Sequence, residues 1–138
     1  MYVTTSVVHE RVPLFTEDHL VQLVVRELAR CHEERRAENL AWVVMPDHVH
    51  WLFQLREGTL AACVQAFKSR AAREVNGMRA TSGQLWQAGY YEHRIRDDED
   101  MRMQARYIVA NPLRRGIVDR LADYPYWYCA WASDEGDL

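Results

Sequence analysis

The chain has 138 residues, 49% of them hydrophobic, which is one domain's worth and enough to bury a core without disulfides or a structural metal. Its three cysteines, Cys31, Cys63 and Cys129, are scattered and form no CxxC pair, which argues against a thiol zinc site and for a reducing compartment. The formal net charge of −3 speaks against a uniformly basic nucleic-acid binder, but it is uneven. From Arg56 to Arg120 there are 12 Lys/Arg against 8 Asp/Glu, and elsewhere 5 against 12. Such asymmetry fits one positive groove on an acidic protein, and equally fits ordinary solvated helix faces. The opening MYVTTSVVHERVP lacks the basic start and apolar run of a secretion signal, and no stretch reaches membrane-span length. The expectation is a single soluble cytoplasmic domain over residues 1–138, with a tail from about 124 to 138.

In chain order, Tyr2 to Val8 is short, β-branched and alternating, and reads as a strand. Thr16 offers an N-cap for a helix from about Glu17 to Arg36, with Leu20, Leu23, Val24, Glu27 and Leu28 at helical spacing. Leu40–Met45 and His48–Leu55 are apolar runs joined at Pro46-Asp47, a hairpin pattern. A second helix is expected from about Thr59 to Asn76, stopped by Asn76-Gly77, followed by a polar loop over Arg79–Gln84. Tyr90 to Ile95 suggests another strand. Asp97 or Asp98 would cap a third helix, which must end near Asn111 because Pro112 disfavours helical geometry in its predecessor. The tail from Tyr124 is aromatic, then acidic, with its aromatic part expected to dock. This order is that of a ferredoxin-like split βαβ fold, an α+β antiparallel sheet with helices on one face, plus an added helix carrying Tyr107.

Within the second hairpin strand, alternation puts Val49, Trp51, Phe53 and Leu55 on an apolar face and His48, His50, Leu52 and Gln54 on the other. The two imidazoles project side by side from a stiff strand, away from the expected core. That arrangement suits two ligands of one metal, since neutral imidazole is a common metal donor. It also suits two polar residues facing water, and spacing alone does not choose.

On the third helix, Met101, Ala105 and Ile108 make the expected buried stripe, while Gln104, Tyr107 and Asn111 form a polar one. Tyr107 and Asn111 are i and i+4, hence neighbours. A phenol beside an amide oxygen can act as nucleophile and metal ligand. Alternatively, Tyr107 is a rim residue and Asn111 a helix cap before Pro112.

Taken together, MPDHVHWLF, LWQAGYYEHRIRD and YIVANPLRRGIV, with the opening YVTT, resemble the single-tyrosine HUH transposases, and especially their REP-associated branch. The resemblance runs from Tyr2 to about Val118. It implies that His48 and His50 bind Mg²⁺ or Mn²⁺, that Asn111 completes the metal site, and that Tyr107 attacks a DNA phosphodiester. The product would be a 5′-phosphotyrosine and a free 3′-OH, a link that a second 3′-OH can reverse. The implied partner is single-stranded DNA near palindromes that fold into hairpins, the implied location the nucleoid, and the expected form a monomer. Lys68, Arg70, Arg73, Arg94, Arg96, Arg102, Arg106, Arg114 and Arg115 are the candidate phosphate contacts, and Trp86, Tyr90 and Tyr91 candidate base-stacking rings, each of which also reads as core. His93 is a lesser candidate for supporting the site. An insertion-sequence transposase mobilising its own flanks, a hairpin-binding protein without catalysis, and a water-using metal hydrolase are the competing readings.

Overall fold

The computed structural model describes residues 1–96 and 101–131. Its elements are β1 (Tyr2–Val7), α1 (Asp18–Glu33), β2 (Ala37–Met45), β3 (His48–Leu55), α2 (Leu60–Arg79), β4 (Tyr91–Arg94), α3 (Met101–Val109), α4 (Asn111–Arg114) and β5 (Trp127–Cys129). The strands form one antiparallel sheet in the order β4-β1-β3-β2-β5. The first four follow the expected split βαβ pattern. The aromatic tail adds the fifth, pairing Trp127 with Val43 and Cys129 with Ala41. Tyr124 ties the tail down further by donating its hydroxyl to the Val44 carbonyl at 2.5 Å.

The sheet has a core on each face. On one, Val49, Trp51 and Phe53 pack with Leu20, Val24 and Leu28 of α1 and with Val64, Phe67 and Ala71 of α2. On the other, Ala41, Val43 and Leu52 pack with Ala105, Ile108 and Val109 of α3. The expected helices thus cover one face, and the added helix covers the opposite one. His48 consequently does not point away from the core into water: it is 3% exposed, beneath the second layer. Met101, expected in the buried stripe of α3, is exposed at the helix's first residue.

Several boundaries differ from the sequence reading for local reasons. Thr16 does not cap α1: its hydroxyl donates to the Pro13 carbonyl, and Glu17 precedes the helix without a side-chain cap. The helix ends at Glu33, short of Arg36, because Arg35 turns left-handed with φ 59°. Thr59 does cap α2, accepting from the Ala62 amide at 3.1 Å. That helix runs through Asn76-Gly77 to Arg79. A helical glycine costs only about 1 kcal/mol relative to alanine, and the stop comes instead at Ala80, with φ 53°. The expected cap at Asp97 or Asp98 and the acidic end of the tail lie outside the described residues.

Asn39 ties three elements together. It donates from Nδ2 to the Leu28 carbonyl of α1 and accepts at Oδ1 from the Trp51 indole, both at 2.9 Å and both buried. Asn39→Ala removes both partners at once and leaves a buried donor and acceptor unmatched, each worth about 1–3 kcal/mol. Urea denaturation of this variant should show a loss of about 2–4 kcal/mol; a loss below about 0.5 kcal/mol would mean the bridge does not hold in solution.

Candidate active site

β3 is central in the sheet, so its register is set from both sides. Thr5 of β1 and Val43 of β2 stand opposite His50; Val7 and Met45 stand opposite His48. The two histidines share the face covered by α3, with ring centroids 4.7 Å apart and planes 79° apart. Each ring is held through its Nδ1. For His48 the partner is Asp47 Oδ1 at 2.6 Å, and for His50 it is Thr5 Oγ1 at 2.8 Å. A carboxylate has no proton to offer, so His48 donates its Nδ1–H and keeps the Nε2 lone pair. At His50 the Thr5 hydroxyl, which can donate or accept, holds the ring through Nδ1. Asp47 is itself steadied by Arg11, at 3.3 Å.

The electrostatics keep both imidazoles neutral. Burial pulls His50 from its ordinary 6.5 down to about 4, helped by the charges of His48, Arg114 and Arg115. Burial also lowers His48, against the opposing pull of Asp47. For Asp47, burial works to raise the carboxyl, but His48 and Arg11 together hold it below the usual carboxylate range. Two neutral imidazoles with Nδ1 engaged and Nε2 available form the donor set a divalent transition-type cation prefers, and the outer carboxylate is the usual way such a ligand is oriented.

Tyr107 on α3 meets one of this pair, His50. It lines a cavity of about 250 Å³ together with His50, Thr5, His93, Gln104 and Arg114. Its ring is 64% exposed, and the Arg114 guanidinium carbon lies 3.8 Å from its centroid. Asn111 is placed differently from expectation. It opens the separate short helix α4 rather than ending α3, so it does not cap the helix that carries Tyr107. It is 6% exposed and is not among the residues lining the cavity. The amide in that lining is Gln104.

The basic residues divide by face. Lys68, Arg70 and Arg73 sit on α2, across the sheet from the histidines, which corrects their grouping with the site. Lys68 is buried and its ammonium donates to the carbonyls of Gln87 (3.1 Å) and Gly89 (2.5 Å); Arg70 pairs with Glu34 at 2.6 Å. Trp86, expected to stack bases, is 5% exposed between Phe15 and Phe67, with its indole donating to the Lys68 carbonyl. Arg94 is exposed on β4 but stands opposite Tyr2, whose other neighbour is Phe53, so it emerges on the α1/α2 face and its grouping with the site is corrected as well. Arg96 is exposed just beyond β4, and Arg106, Arg114 and Arg115 are exposed on or after α3. Arg102 lies over the Trp131 ring at 5.7 Å. Among the aromatics of that side, Tyr91 remains accessible, 62% exposed on β4. Thr5 and Arg11 escaped the sequence reading. Thr5 is found only once β1 is known to pair with β3, and Arg11 only once the loop after β1 is known to approach the hairpin.

The IS200-like transposase family matches residues 1–111, and the chain belongs to that family. It is thereby a transposase, an enzyme of DNA strand transfer. A REP-associated tyrosine transposase of Escherichia coli K12 is 29% identical over 127 residues, covering 91% of this chain and 73% of the relative. A Haemophilus influenzae protein assigned provisionally to the same group is 28% identical over 137 residues, covering 91% and 77%. The fold is similar to the solved structure of a REP-associated tyrosine transposase bound to a REP hairpin, with a TM-score of 0.78 and 24% identity over 98% of this chain and 78% of that one. No helix among the described residues is long and apolar enough to cross a membrane.

The depressed His50 gives the metal-free protein a pH signature. Its folded value lies below its unfolded value, so the unfolded chain takes the proton first as pH falls. Stability should therefore drop as pH falls from about 6.5 and level off near 4, by at most about 3 kcal/mol. Urea midpoints measured across that window should flatten in His50→Asn; an unchanged slope would place the acid sensitivity elsewhere.

Proposed function

We propose that the protein is a metal-dependent single-stranded DNA endonuclease and strand transferase. It acts at hairpin-forming palindromic repeats through a 5′-phosphotyrosine intermediate. The observation that carries this reading is the shared cavity of Tyr107 and His50: a nucleophile from one element meets a metal-ligand pair from another, within a single chain. That a single copy supplies both halves supports a monomer as the working form.

The residues divide the work as follows. His48 and His50 present Nε2, and Asn111 is the proposed third ligand. A divalent cation there, Mg²⁺ or Mn²⁺, would polarise the scissile phosphate as a Lewis acid. Asp47 and Thr5 fix the ring orientations and so the direction of both lone pairs. The Tyr107 oxygen attacks phosphorus, the bond from phosphorus to the 3′ oxygen breaks, and the proton lost by tyrosine is matched by the one gained at the 3′-OH. Because the link to Tyr107 is itself a phosphodiester, a different 3′-OH can attack it and regenerate the phenol, joining new ends. Arg96, Arg102, Arg106, Arg114 and Arg115 would grip phosphates near this site and fix register without reading bases. The exposed Tyr91 ring is the aromatic suited to stacking on an unpaired base.

Labelled single-stranded hairpin DNA incubated with the protein and Mn²⁺, then denatured, should yield a covalent protein–DNA band. Tyr107→Phe should abolish the band while leaving hairpin affinity within about threefold, since the phenol oxygen is a reacting atom and not a general phosphate contact. A band that survives Tyr107→Phe identifies a different nucleophile, and cleavage without any adduct identifies a hydrolase. Separately, Asp47→Ala should weaken Mn²⁺ binding by about 10–100-fold in calorimetry, as loss of an outer carboxylate generally does; unchanged affinity would remove Asp47 from the metal site.

A further inference from the structure

An exposed tyrosine poses a problem for a nucleophile. A side chain on a helix surface moves among rotamers on the nanosecond scale or faster, and a reacting oxygen must spend its time near one position to profit from proximity. Tyr107 is 64% exposed, so close packing does not hold its ring in place. One contact does engage its face: the Arg114 guanidinium carbon stands 3.8 Å from the ring centroid, well within the distance at which a cation is attracted to an aromatic face.

Arg114 is well placed for this. It is the last residue of α4, which follows α3 after the single residue Ala110 and contains Pro112, whose ring fixes its own φ. The Arg115 amide closes the turn on the Asn111 carbonyl at 3.0 Å. Two short, stiff helices therefore set the arginine relative to the tyrosine. Arg114 also lines the cavity with His50, Gln104 and Tyr107, and its charge is felt at His50. Among the described residues its guanidinium forms no hydrogen bond or ion pair, so contact with the ring leaves its side-chain N–H groups for a phosphate oxygen.

We propose that Arg114 is the positioning residue of the nucleophile: its guanidinium, stacked on the Tyr107 ring, holds the phenol at the cavity shared with His50. This rests on Tyr107 being the nucleophile. It assigns Arg114 a role in the chemical step that a simple phosphate contact does not have, and it distinguishes Arg114 from Arg115, which makes no ring contact.

The test has two readouts. In the free protein, 3-fluorotyrosine incorporation with ¹⁹F NMR, the Tyr107 signal being assigned by Tyr107→Phe, should show that signal moving toward the exposed-tyrosine position in Arg114→Ala. With saturating hairpin DNA and Mn²⁺, the single-turnover rate of adduct formation should fall about 10–100-fold in Arg114→Ala while hairpin affinity changes by less than about threefold. Arg114→Lys, which keeps the charge but lacks the planar group, should leave affinity at the wild-type level and restore the rate only in part. Arg115→Ala should weaken hairpin binding without moving the Tyr107 ¹⁹F signal. An unmoved ¹⁹F signal would overturn the stack itself. A loss confined to affinity would reduce Arg114 to a phosphate contact, and a faster rate in Arg114→Ala would mean that it parks the ring away from the site; either result overturns the proposal. If the signal moves but the wild type forms no adduct through Tyr107, the nucleophile reading fails and the proposal falls with it, visibly at that step.

Discussion

β3 is hydrogen-bonded along both edges, to β1 and to β2, and is packed on both faces. In that position a slip of one residue would move Val49, Trp51 and Phe53 out of one core and push His48 and His50 into it. The large buried rings of Trp51 and Phe53, clamped beneath α1 and α2, are what forbid the slip. The histidine pair is thus aimed by hydrophobic packing on the far side of its own strand. Thr5 and Asp47 only finish what the register begins.

The same geometry settles the charge state of the pair. Burial beneath α3 disfavours imidazolium at both rings; Arg114 and Arg115 disfavour it again at His50, and Arg115 and Arg11 do so at His48 against the pull of Asp47. The local field that repels a proton from His50 also favours an anion in the space beside it. The acidic surplus of the chain as a whole does not oppose this, since the basic residues around α3 act at short range and distant surface charges are screened.

Not every basic residue belongs to that field. Lys68 is spent on two loop carbonyls and Arg70 on Glu34, both on the α1/α2 side, where they staple the region around Trp86 and the contact between helices. In the sequence these residues look no different from Arg106 or Arg114. Long cationic side chains serve structure and substrate with the same chemistry, and only the face on which they emerge tells the uses apart. Trp86 illustrates the point for aromatics, since it lies buried while Tyr91, five residues later, lies open.

The sequence by itself determined the elements whose information is local. Alternation across β3 separated the histidines from Trp51 and Phe53, the Pro46-Asp47 turn set the hairpin, and helical spacing put Ala105 and Ile108 opposite Tyr107. Motifs in fixed order then tied the halves to one family. Tertiary structure alone decided what depends on contacts between distant segments: that α3 covers the histidine face and buries His48, that Thr5 stands against His50, that Arg11 reaches Asp47, and that the tail becomes β5. It also separated Asn111 from the end of α3 and set Arg114 on the Tyr107 ring, because a one-residue break between helices redirects every side chain beyond it. Periodicity records which way a side chain leaves its own backbone, whereas its partner is fixed by packing free energy summed over the whole fold.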